Sequence, residues 1–583
     1  MTLTPMEAVV SVLEDEGVRV AFGVPGAAIL PLYQALERSQ IRHLSVRHEE
    51  GGTHAADGWA RITGEPGVCI GTSGPAGTNM ITGLYTAIAD SIPIICITGQ
   101  APTNVLHKEA FQAVDIVEIA RPVTKWAVQV KEPGQLPWAF RQAFQTARSG
   151  RPGPVLIDLP LNVQTGGPIS YDPLIDQRLP IHGVSPPPAA ADRVLDMIEE
   201  AERPIILAGG GVIIANTSDG LVELAERLQV PISPTLMGKG AISEDHPLWA
   251  GTVGIQTSQP FANQFFLESD LVVAIGARFV DRHTGNLDVY RGGRRFIQID
   301  IAPEQLGRVF PPDLALVADA RLMLESLLDA STRRPIPQRS AWIGRLAELR
   351  ATQTRPSEYS DTPIRAPRVF DELNRLLPES ATVVTAIGLY QIFSGQFQRA
   401  YRPRHYLCCG QAGPLGWEVP ACIGAKLARP DSLVIGVVGD YSFQFLMKEV
   451  AVAVQYGVPF VLVMLNNGYM GLIRQAEVGY DMNFAVDLAF TGPDEHVGID
   501  HVMLMRSMGA DGVRVTEPHA LSEAVEWACL ESETRHIPIL VEVMTAREES
   551  AAMGLAIDSV REPGEIPIVP LPVGAVPSQI TIR

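Results

Sequence analysis

Two apolar segments, 433–438 and 460–465, most constrain the fold of this 583-residue chain. A helical pattern at 445–456 lies between them, so the three together predict a β-α-β unit with parallel strands. The first strand is followed by Gly439-Asp440 and the second by Asn466-Asn467. Because ligands of open parallel sheets bind at the carboxyl ends of the strands, Asp440 and Asn467 are predicted to lie at a binding edge.

This pairing of a carboxylate with a side-chain amide has two explanations. Together with a nearby backbone carbonyl, the two side chains supply the oxygen ligands that suit Mg²⁺, which takes its other ligands from phosphate and water. Asp and Asn also favour turns after strands when no ligand is involved. The spacing alone fits both a metal-held diphosphate and an ordinary turn, so the rest of the chain has to decide.

Strand patterns alternate with helix patterns along most of the chain, which predicts an α/β protein with three doubly wound parallel sheets. A Pro-rich segment at 167–188 and a segment rich in Arg, Pro and Ser at roughly 331–366 are interpreted as linkers. The predicted units are an N-terminal domain at 1–165, a middle domain at 189–330, a C-terminal domain at 367–548 and an irregular tail at 549–583.

Charge and composition exclude several classes of function. A net charge of −19 argues against general binding of nucleic acid or anionic membranes, because both are polyanions. No apolar run reaches the length needed to span a membrane, and no signal peptide is evident, so a cytoplasmic location is expected. The six cysteines are scattered without metal-ligand spacing, which predicts buried, reduced thiols.

Glu49 and Glu50 lie where a short predicted strand gives way to a helical pattern. Acidic residues in a first helical turn complement the helix dipole, and for Glu50 this is the better explanation. Glu49 has a second explanation if the diphosphate belongs to thiamine diphosphate. That cofactor needs a carboxylate at N1′ of its aminopyrimidine, which shifts the ring to the imino tautomer and so removes the C2 proton.

Several longer motifs accompany Arg47-His48-Glu49 and the Gly-Asp…Asn-Asn pair. They are Phe-Gly-Val-Pro-Gly-Ala-Ala at 22–28, Leu-His-Lys-Glu-Ala-Phe-Gln-Ala-Val-Asp at 106–115, Cys-Gly-Gln-Ala-Gly-Pro-Leu-Gly-Trp at 409–417 and Asn-Gly-Tyr-Met-Gly-Leu-Ile-Arg-Gln at 467–475. Together they resemble the thiamine diphosphate-dependent acetohydroxyacid synthase superfamily, and within it the glyoxylate carboligases most. The resemblance covers about residues 1–545.

This resemblance implies a pyrimidine-binding, a middle and a diphosphate-binding domain, in that order. It implies Mg²⁺ on Asp440, Asn467 and the Tyr469 carbonyl. It also implies that Leu415 holds the cofactor in a bent form and that the Gly413 carbonyl accepts the amino group of the cofactor. Taken alone, Leu415 is equally well explained as a core residue. The implied thiamine diphosphate contacts are Gly388, Leu389, Tyr390, Gly413, Leu415, Gly439, Asp440, Tyr441, Ser442, Asn467, Tyr469 and Met470.

The middle domain resembles the FAD-binding domain of the same superfamily. Glycines at strand ends let backbone amides approach a diphosphate, and arginine adds a forked donor. The implied FAD contacts are Arg151, Gly209, Gly210, Gly211, Thr235, Leu236, Gly276, Ala277, Arg278, Asp300, Ile301, Asp319 and Ala320. Carboligation has no net redox step that would require the flavin.

The resemblance also implies a small, mostly apolar substrate pocket. Such a pocket suits a small 2-oxo acid and favours loss of its carboxylate. His107, Lys108 and Arg474 are possible partners for that carboxylate, and each is also explained as a surface charge. The implied catalytic set is Glu49, Leu415 and the pocket residues Val24, Phe111, Gln112, Ile387, Leu472 and Ile473.

The implied activity is a carbon-carbon lyase that condenses two glyoxylates to tartronate semialdehyde and CO₂. The alternatives are an acetolactate synthase-like enzyme acting on pyruvate or another small 2-oxo acid, and a flavin-dependent oxidoreductase like the pyruvate oxidases. A non-catalytic flavin-binding relative is disfavoured by the intact set of Glu49, Asp440 and Asn467. The family further implies a homodimer or homotetramer in which Glu49 and Asp440 of one site come from different chains.

Two positions depart from the pattern of the glyoxylate carboligases. Those enzymes carry an apolar residue where this chain has Glu49, whereas most other members of the superfamily have glutamate. The common Gly-Asp-Gly is Gly-Asp-Tyr in this chain, through Tyr441. Glu49 therefore supports ordinary activation of the cofactor and leaves both glyoxylate and pyruvate open as substrates.

Overall fold

Three parallel β-sheets, each flanked by helices, follow one another along the chain, in a computed structural model that describes residues 2–174, 176–491 and 498–562. Buried apolar side chains pack on the faces of each sheet. The middle sheet has a core of its own, whereas one core is shared between the facing sides of the first and third sheets. The predicted fold class, with three doubly wound α/β domains, is confirmed. Within these described ranges, no helix is long and apolar enough to cross a membrane.

The first sheet has six parallel strands, and a short antiparallel pair, β1 and β8, lies beside it. The strands are β1 Thr2–Leu3, β2 Val20–Gly23, β3 Arg42–Ser45, β4 Gly67–Gly71, β5 Ile94–Gln100, β6 Trp126–Gln129, β7 Val155–Pro160 and β8 Ile169–Ser170. The order in the large sheet is β3-β2-β4-β5-β7-β6. The helices are α1 Pro5–Asp15, α2 Leu30–Leu36, α3 Glu49–Thr63, α4 Pro75–Asn79, α5 Ile81–Asp90, α6 Ile116–Ala120, α7 Leu136–Arg148 and α8 Leu161–Gln164.

The second sheet has five parallel strands: β9 Pro204–Ala208, β10 Ile232–Pro234, β11 Leu271–Ile275, β12 Arg295–Asp300 and β13 Leu314–Val317. Their order in the sheet is β10-β9-β11-β12-β13. Its helices are α9 Ala190–Glu200, α10 Gly210–Ile214, α11 Ser218–Leu228, α12 Pro260–Glu268, α13 Asp281–Thr284, α14 Leu287–Arg291, α15 Ala320–Ser331 and α16 Ser340–Thr352.

Helix α16 lies in the segment 331–366 that the composition indicated was a linker. Its buried residues Trp342, Leu346 and Leu349 recur at helical spacing, and they join the core of the middle domain. The Trp342 ring stacks on Phe265 with 3.8 Å between centroids, and its indole N–H donates to the Pro204 carbonyl. The linker interpretation is therefore wrong for this part of the segment, because the apolar face of α16 docks on the middle domain.

The third sheet has six parallel strands in the order β15-β14-β16-β17-β19-β18. They are β14 Thr382–Thr385, β15 Tyr406–Cys408, β16 Val434–Gly439, β17 Val461–Asn466, β18 Asp511–Val515 and β19 Ile539–Met544. The helices are α17 Ala366–Leu376, α18 Leu389–Phe397, α19 Glu418–Ala428, α20 Asp440–Leu446, α21 Glu449–Tyr456, α22 Gly471–Val478, α23 His501–Ser507 and α24 Leu521–Arg535.

Strands β16 and β17 are the two that the sequence predicted as neighbours, and they pair in parallel with Gly439 opposite Leu465. Asp440 and Asn467 follow them at one edge of the sheet. The single helix predicted at 445–456 is instead two helices, α20 and α21, because α20 begins at Asp440 directly after the strand. The backbone around Asp440 is therefore helical rather than a loop.

The first and third domains pack against each other through helices α3 and α19. A Cβ atom on Gly58 would lie 2.4 Å from the Ala421 carbonyl oxygen, and one on Gly424 would lie 1.9 Å from that of Ala55. Only glycine permits this approach, which merges the facing apolar surfaces into one core. Trp417 next to α19 donates its indole N–H to Asp57 of α3.

The six cysteines are free thiols, and five of them are buried, as the sequence predicted. The predicted tail at 549–583 lies in part outside the described residues. Within its described part, Ala556 bridges Gly285 of the middle domain and Met553 bridges Arg561.

Candidate active site

A cavity of about 290 Å³ lies at the carboxyl edge of the third sheet. The segments after β14, β16, β17 and β19 line it, together with residues 413–415. It brings together every residue predicted to contact thiamine diphosphate: Gly388, Leu389, Tyr390, Gly413, Leu415, Gly439, Asp440, Tyr441, Ser442, Asn467, Tyr469 and Met470. Three predicted substrate-pocket residues, Ile387, Leu472 and Ile473, line the same cavity.

Asp440 has the environment expected of a metal ligand. Its side chain is 5% exposed, and burial raises the pKa of its carboxyl to about 7. Among the described residues no arginine, lysine or histidine forms an ion pair with it, so a bound cation would supply the missing charge. Asn467 completes a tight turn by accepting the Tyr469 N–H through Oδ1 at 3.2 Å.

The donor set differs from the commonest protein metal sites. No group of three or more His, Cys, Asp or Glu side chains within the described ranges is arranged to hold a metal. One carboxylate, one side-chain amide and one backbone carbonyl instead form the small oxygen set with which Mg²⁺ is held when phosphate and water complete its sphere. The residues present therefore fit Mg²⁺ bound together with a diphosphate.

Two glycines of this cavity let the Tyr390 ring pack directly against the backbone. A Cβ atom on Gly388 would lie 2.3 Å from the Tyr390 ring, and one on Gly439 would lie 2.7 Å from the same ring. Gly388 and Gly413 also have backbone φ angles of +149° and +62°, which favour glycine. The first backbone N–H groups of α20 have no carbonyl acceptor within the helix, and the Asp440 carboxyl accepts that of Tyr441. Those of the following residues, beginning with Ser442, can donate to a phosphate.

The structure of one chain places Glu49 apart from this cavity. Glu49 is the first residue of α3 and is 8% exposed, and its Oε2 accepts a hydrogen bond from Asn79 Nδ2 at 2.9 Å. The cavity that contains Asp440 is not lined by Glu49, nor by the predicted pocket residues Val24, Phe111 and Gln112. Phe111 is instead 86% exposed. The predicted catalytic set thus falls into two groups on one chain.

The three proposed partners of a substrate carboxylate also separate. His107 and Lys108 are exposed in the N-terminal domain. The Arg474 guanidinium forms an ion pair with Glu548 at 3.2 Å and donates to the Met482 carbonyl at 2.8 Å. Two of its nitrogens, Nε and Nη1, are thus engaged within the chain.

Two buried carboxyl groups near these sites, those of Glu418 and Glu449, were not predicted from the sequence. Glu418 accepts hydrogen bonds from Tyr390 and Ser442, and Glu449 accepts the backbone N–H of Arg47 at 3.1 Å, two residues before Glu49. Burial raises the pKa of each carboxyl to about 7. The available signal was an acidic residue within an apolar helical run, since such residues are rarely buried without a role.

A second cavity, of about 450 Å³, lies where the three domains meet. The predicted FAD contacts that line it are Arg151, Gly210, Gly211, Thr235, Leu236, Gly276, Ala277, Arg278, Asp300, Ile301, Asp319 and Ala320. Gly209 lies beneath the wall, where a Cβ atom would come within 2.0 Å of the Gly276 carbonyl oxygen.

Two arginines of this cavity differ in whether their guanidinium groups are already hydrogen-bonded within the chain. Arg151 already donates to Ser91 Oγ at 2.7 Å and to the Ile88 carbonyl at 2.9 Å. Arg278 lines the same cavity, and no hydrogen bond or ion pair within the described ranges engages its guanidinium. Arg278 is therefore the side chain free to bind an anionic group, which fits the diphosphate of a dinucleotide.

Comparison with known proteins agrees with this geometry. Family models match the N-terminal TPP binding domain of thiamine pyrophosphate enzymes at residues 3–119, the central domain at 191–327 and the C-terminal TPP binding domain at 386–543. A glyoxylate carboligase of Escherichia coli O157:H7 is 44% identical, over 96% of this chain and 95% of its own. A probable acetolactate synthase large subunit of Methanocaldococcus jannaschii is 38% identical, over 92% of this chain and 91% of its own.

An acetolactate synthase large subunit of Parasynechococcus marenigrum is 37% identical, over 94% of this chain and 88% of its own. These similarities extend over all three domains and confirm the resemblance that the motifs indicated. The chain belongs to the thiamine pyrophosphate enzymes, in the superfamily of the acetohydroxyacid synthases and glyoxylate carboligases.

Proposed function

We propose that this protein is a thiamine diphosphate- and Mg²⁺-dependent carboligase that condenses two glyoxylates to tartronate semialdehyde and CO₂. The observation that carries the proposal is the cavity that joins Asp440, Asn467, Gly413 and Leu415 in a chain 44% identical to a glyoxylate carboligase. The reaction breaks the bond between a carboxylate and its aldehyde carbon and forms one new carbon-carbon bond. One proton is taken up, and there is no net oxidation or reduction.

The cofactor would be held by residues that already face the cavity. Asp440, Asn467 and the Tyr469 carbonyl would bind Mg²⁺, and the backbone N–H groups of α20 beginning with Ser442 would bind the diphosphate. Leu415 would support the bent form of the cofactor, and the Gly413 carbonyl would accept its amino group. When bound, thiamine diphosphate supplies a nucleophilic carbon that adds to a 2-oxo acid and takes up the electron pair released with CO₂.

The second group of catalytic residues requires a second copy of the chain. Glu49, Val24 and Gln112 lie away from the cavity of their own chain, and the Phe111 ring is left in solvent. A homodimer or homotetramer would bring Glu49 of one copy to the cofactor bound by Asp440 of another. Size-exclusion chromatography over a dilution series tests this, and an active monomer would contradict it.

An acetolactate synthase-like reaction with pyruvate is the second candidate. Glu49 favours it, because glutamate at this position resembles the acetohydroxyacid synthases more than the glyoxylate carboligases. The acetolactate synthase relatives are 38% and 37% identical, against 44% for the glyoxylate carboligase. That difference favours glyoxylate, while a pocket lined by Ile387, Leu472 and Ile473 is compatible with either small 2-oxo acid.

The two candidates predict different products from purified protein supplied with thiamine diphosphate and Mg²⁺. With glyoxylate we expect CO₂ and tartronate semialdehyde, both detected by mass spectrometry. With pyruvate we expect a lower kcat/KM than with glyoxylate. Acetolactate from pyruvate, with no tartronate semialdehyde from glyoxylate, would overturn the glyoxylate assignment. Bleaching of flavin absorbance during turnover would instead support the oxidase alternative.

We also propose that the larger cavity binds FAD, with Arg278 as a contact to its diphosphate. Arg278→Ala should weaken flavin binding about 10–100-fold, since a charge-assisted contact to a diphosphate is lost. The measurement is flavin absorbance retained after dialysis. Arg321→Ala is the matched control, because Arg321 is an exposed arginine of the same domain whose side chain pairs, among the described residues, with Glu325 of its own helix alone. Equal flavin content in both variants would remove Arg278 from the site.

A further inference from the structure

Glu418 is a buried carboxyl for which the proposed reaction has no use. It is the first residue of α19 and is fully buried. The Tyr390 hydroxyl donates to Glu418 Oε1, and Ser442 Oγ lies 2.9 Å from Oε1 and 3.1 Å from Oε2. Tyr390 and Ser442 line the smaller cavity, whereas Glu418 lies behind them.

The hydrogen bonds of Ser442 extend this contact to a third segment. The Gly416 backbone N–H donates to Ser442 Oγ at 2.9 Å. Because a serine hydroxyl has one hydrogen to give, donation to Glu418 and acceptance from Gly416 fix its orientation. One carboxyl group thereby joins the three cavity-lining segments 388–390, 413–416 and 440–442.

These three segments carry different parts of the proposed cofactor site. Residues 388–390 and 440–442 would meet the diphosphate and the metal, and 413–416 includes Gly413 and Leu415. Their mutual distances decide whether one molecule can contact all of them at once. A buried group that links all three is therefore placed to set the geometry of the whole site.

We infer that Glu418 is a positioning residue that holds these three segments in the arrangement that binds thiamine diphosphate. The inference rests on the proposed cofactor site. In its ionised form, at a pH above its raised pKa of about 7, the Glu418 carboxyl only accepts hydrogen bonds and satisfies both hydroxyl donors together. A glutamine of the same shape turns an N–H₂ group toward one of them and leaves that hydroxyl without its acceptor in a buried position.

Glu418→Gln should therefore weaken thiamine diphosphate binding about 10–100-fold. This is the range found for residues that hydrogen-bond to a metal's ligands and orient them without binding the metal themselves. Isothermal titration calorimetry at saturating Mg²⁺ measures it, with the KM for the 2-oxo acid expected to stay unchanged. Glu372→Gln is the matched control. Glu372 is a buried carboxyl of the same domain, bound by Arg368 and Arg375 on α17, and it lines neither cavity.

A double-mutant cycle separates positioning from general destabilisation. If Glu418 acts through Ser442, Glu418→Gln should cost much less affinity in a Ser442→Ala background than in the wild type, whereas fully additive losses would overturn the inference. Should Glu418→Gln not fold, Tyr390→Phe and Ser442→Ala test the same link from its other side, and unchanged affinity in both would overturn it. A wild-type protein that does not bind thiamine diphosphate with Mg²⁺ would instead overturn the proposed function.

Discussion

Asp440→Ala is expected to weaken Mg²⁺-dependent binding of thiamine diphosphate at least about 100-fold. Changing a residue that only hydrogen-bonds to a metal ligand already lowers metal affinity about 10–100-fold, and Asp440 is proposed as a ligand itself. Asp440 is the one carboxylate of the proposed donor set. It is buried, and among the described residues it forms no ion pair, since the nearby His501 pairs with Glu542. Its removal leaves only an amide and a carbonyl, which hold Mg²⁺ poorly. Titration of the cofactor at several Mg²⁺ concentrations measures the change.

Asp431→Ala provides the matched control for this experiment. Asp431 is exposed and precedes β16, whereas Asp440 follows the same strand at its other end. Both substitutions remove one negative charge near one strand, but only Asp440 faces the cavity. If cofactor binding remained Mg²⁺-dependent with unchanged affinity in Asp440→Ala, Asp440 would not be a metal ligand but an ordinary acidic residue in the first turn of α20.

The strands and the binding edge were predictable because their signals are local. An apolar strand that ends in Gly-Asp and another that ends in Asn-Asn specify which side chains meet, since parallel strands share one edge. The other residues of this cavity, such as Gly413 and Leu415, were named only through the resemblance to a family. Helix α16 was missed although Trp342, Leu346 and Leu349 recur at helical spacing. The composition of the surrounding segment is typical of a linker, and docking on Phe265 depends on the rest of the domain.

The buried carboxyl groups were missed for a different reason. The roles of Glu418 and Glu449 depend on hydrogen bonds to residues far away in the chain, including Arg47, Tyr390 and Ser442. No periodicity or spacing reports such contacts. The separation of Glu49 from Asp440 is likewise a property of three-dimensional packing, and the motifs suggested it only through the resemblance to a family.

Glu49→Gln is expected to slow exchange of the cofactor C2 proton and carboligation about 10²–10⁴-fold, the usual contribution of a positioned acid-base group. This equals about 2.7–5.5 kcal/mol in activation free energy. Glu49 Oε2 is held by Asn79, and the turn before it is held by Glu449, so the carboxylate is fixed in direction before a cofactor arrives. The amide of glutamine keeps this shape but cannot take up a proton, so cofactor affinity should change little.

Glu50→Gln separates this role from helix capping. Glu50 occupies the same first turn of α3 as Glu49, and its carboxylate lies 3.6 Å from His54 Nε2. Glu50→Gln therefore removes one negative charge from the helix start and leaves Glu49 in place. Hydrogen-deuterium exchange at C2, followed by NMR after acid quench, should then be slow only in Glu49→Gln. Equal slowing in both variants would mean that the charge of the helix start matters rather than proton transfer by Glu49. Wild-type exchange in Glu49→Gln would assign proton transfer to another group and leave the bond from Asn79 as a purely structural contact.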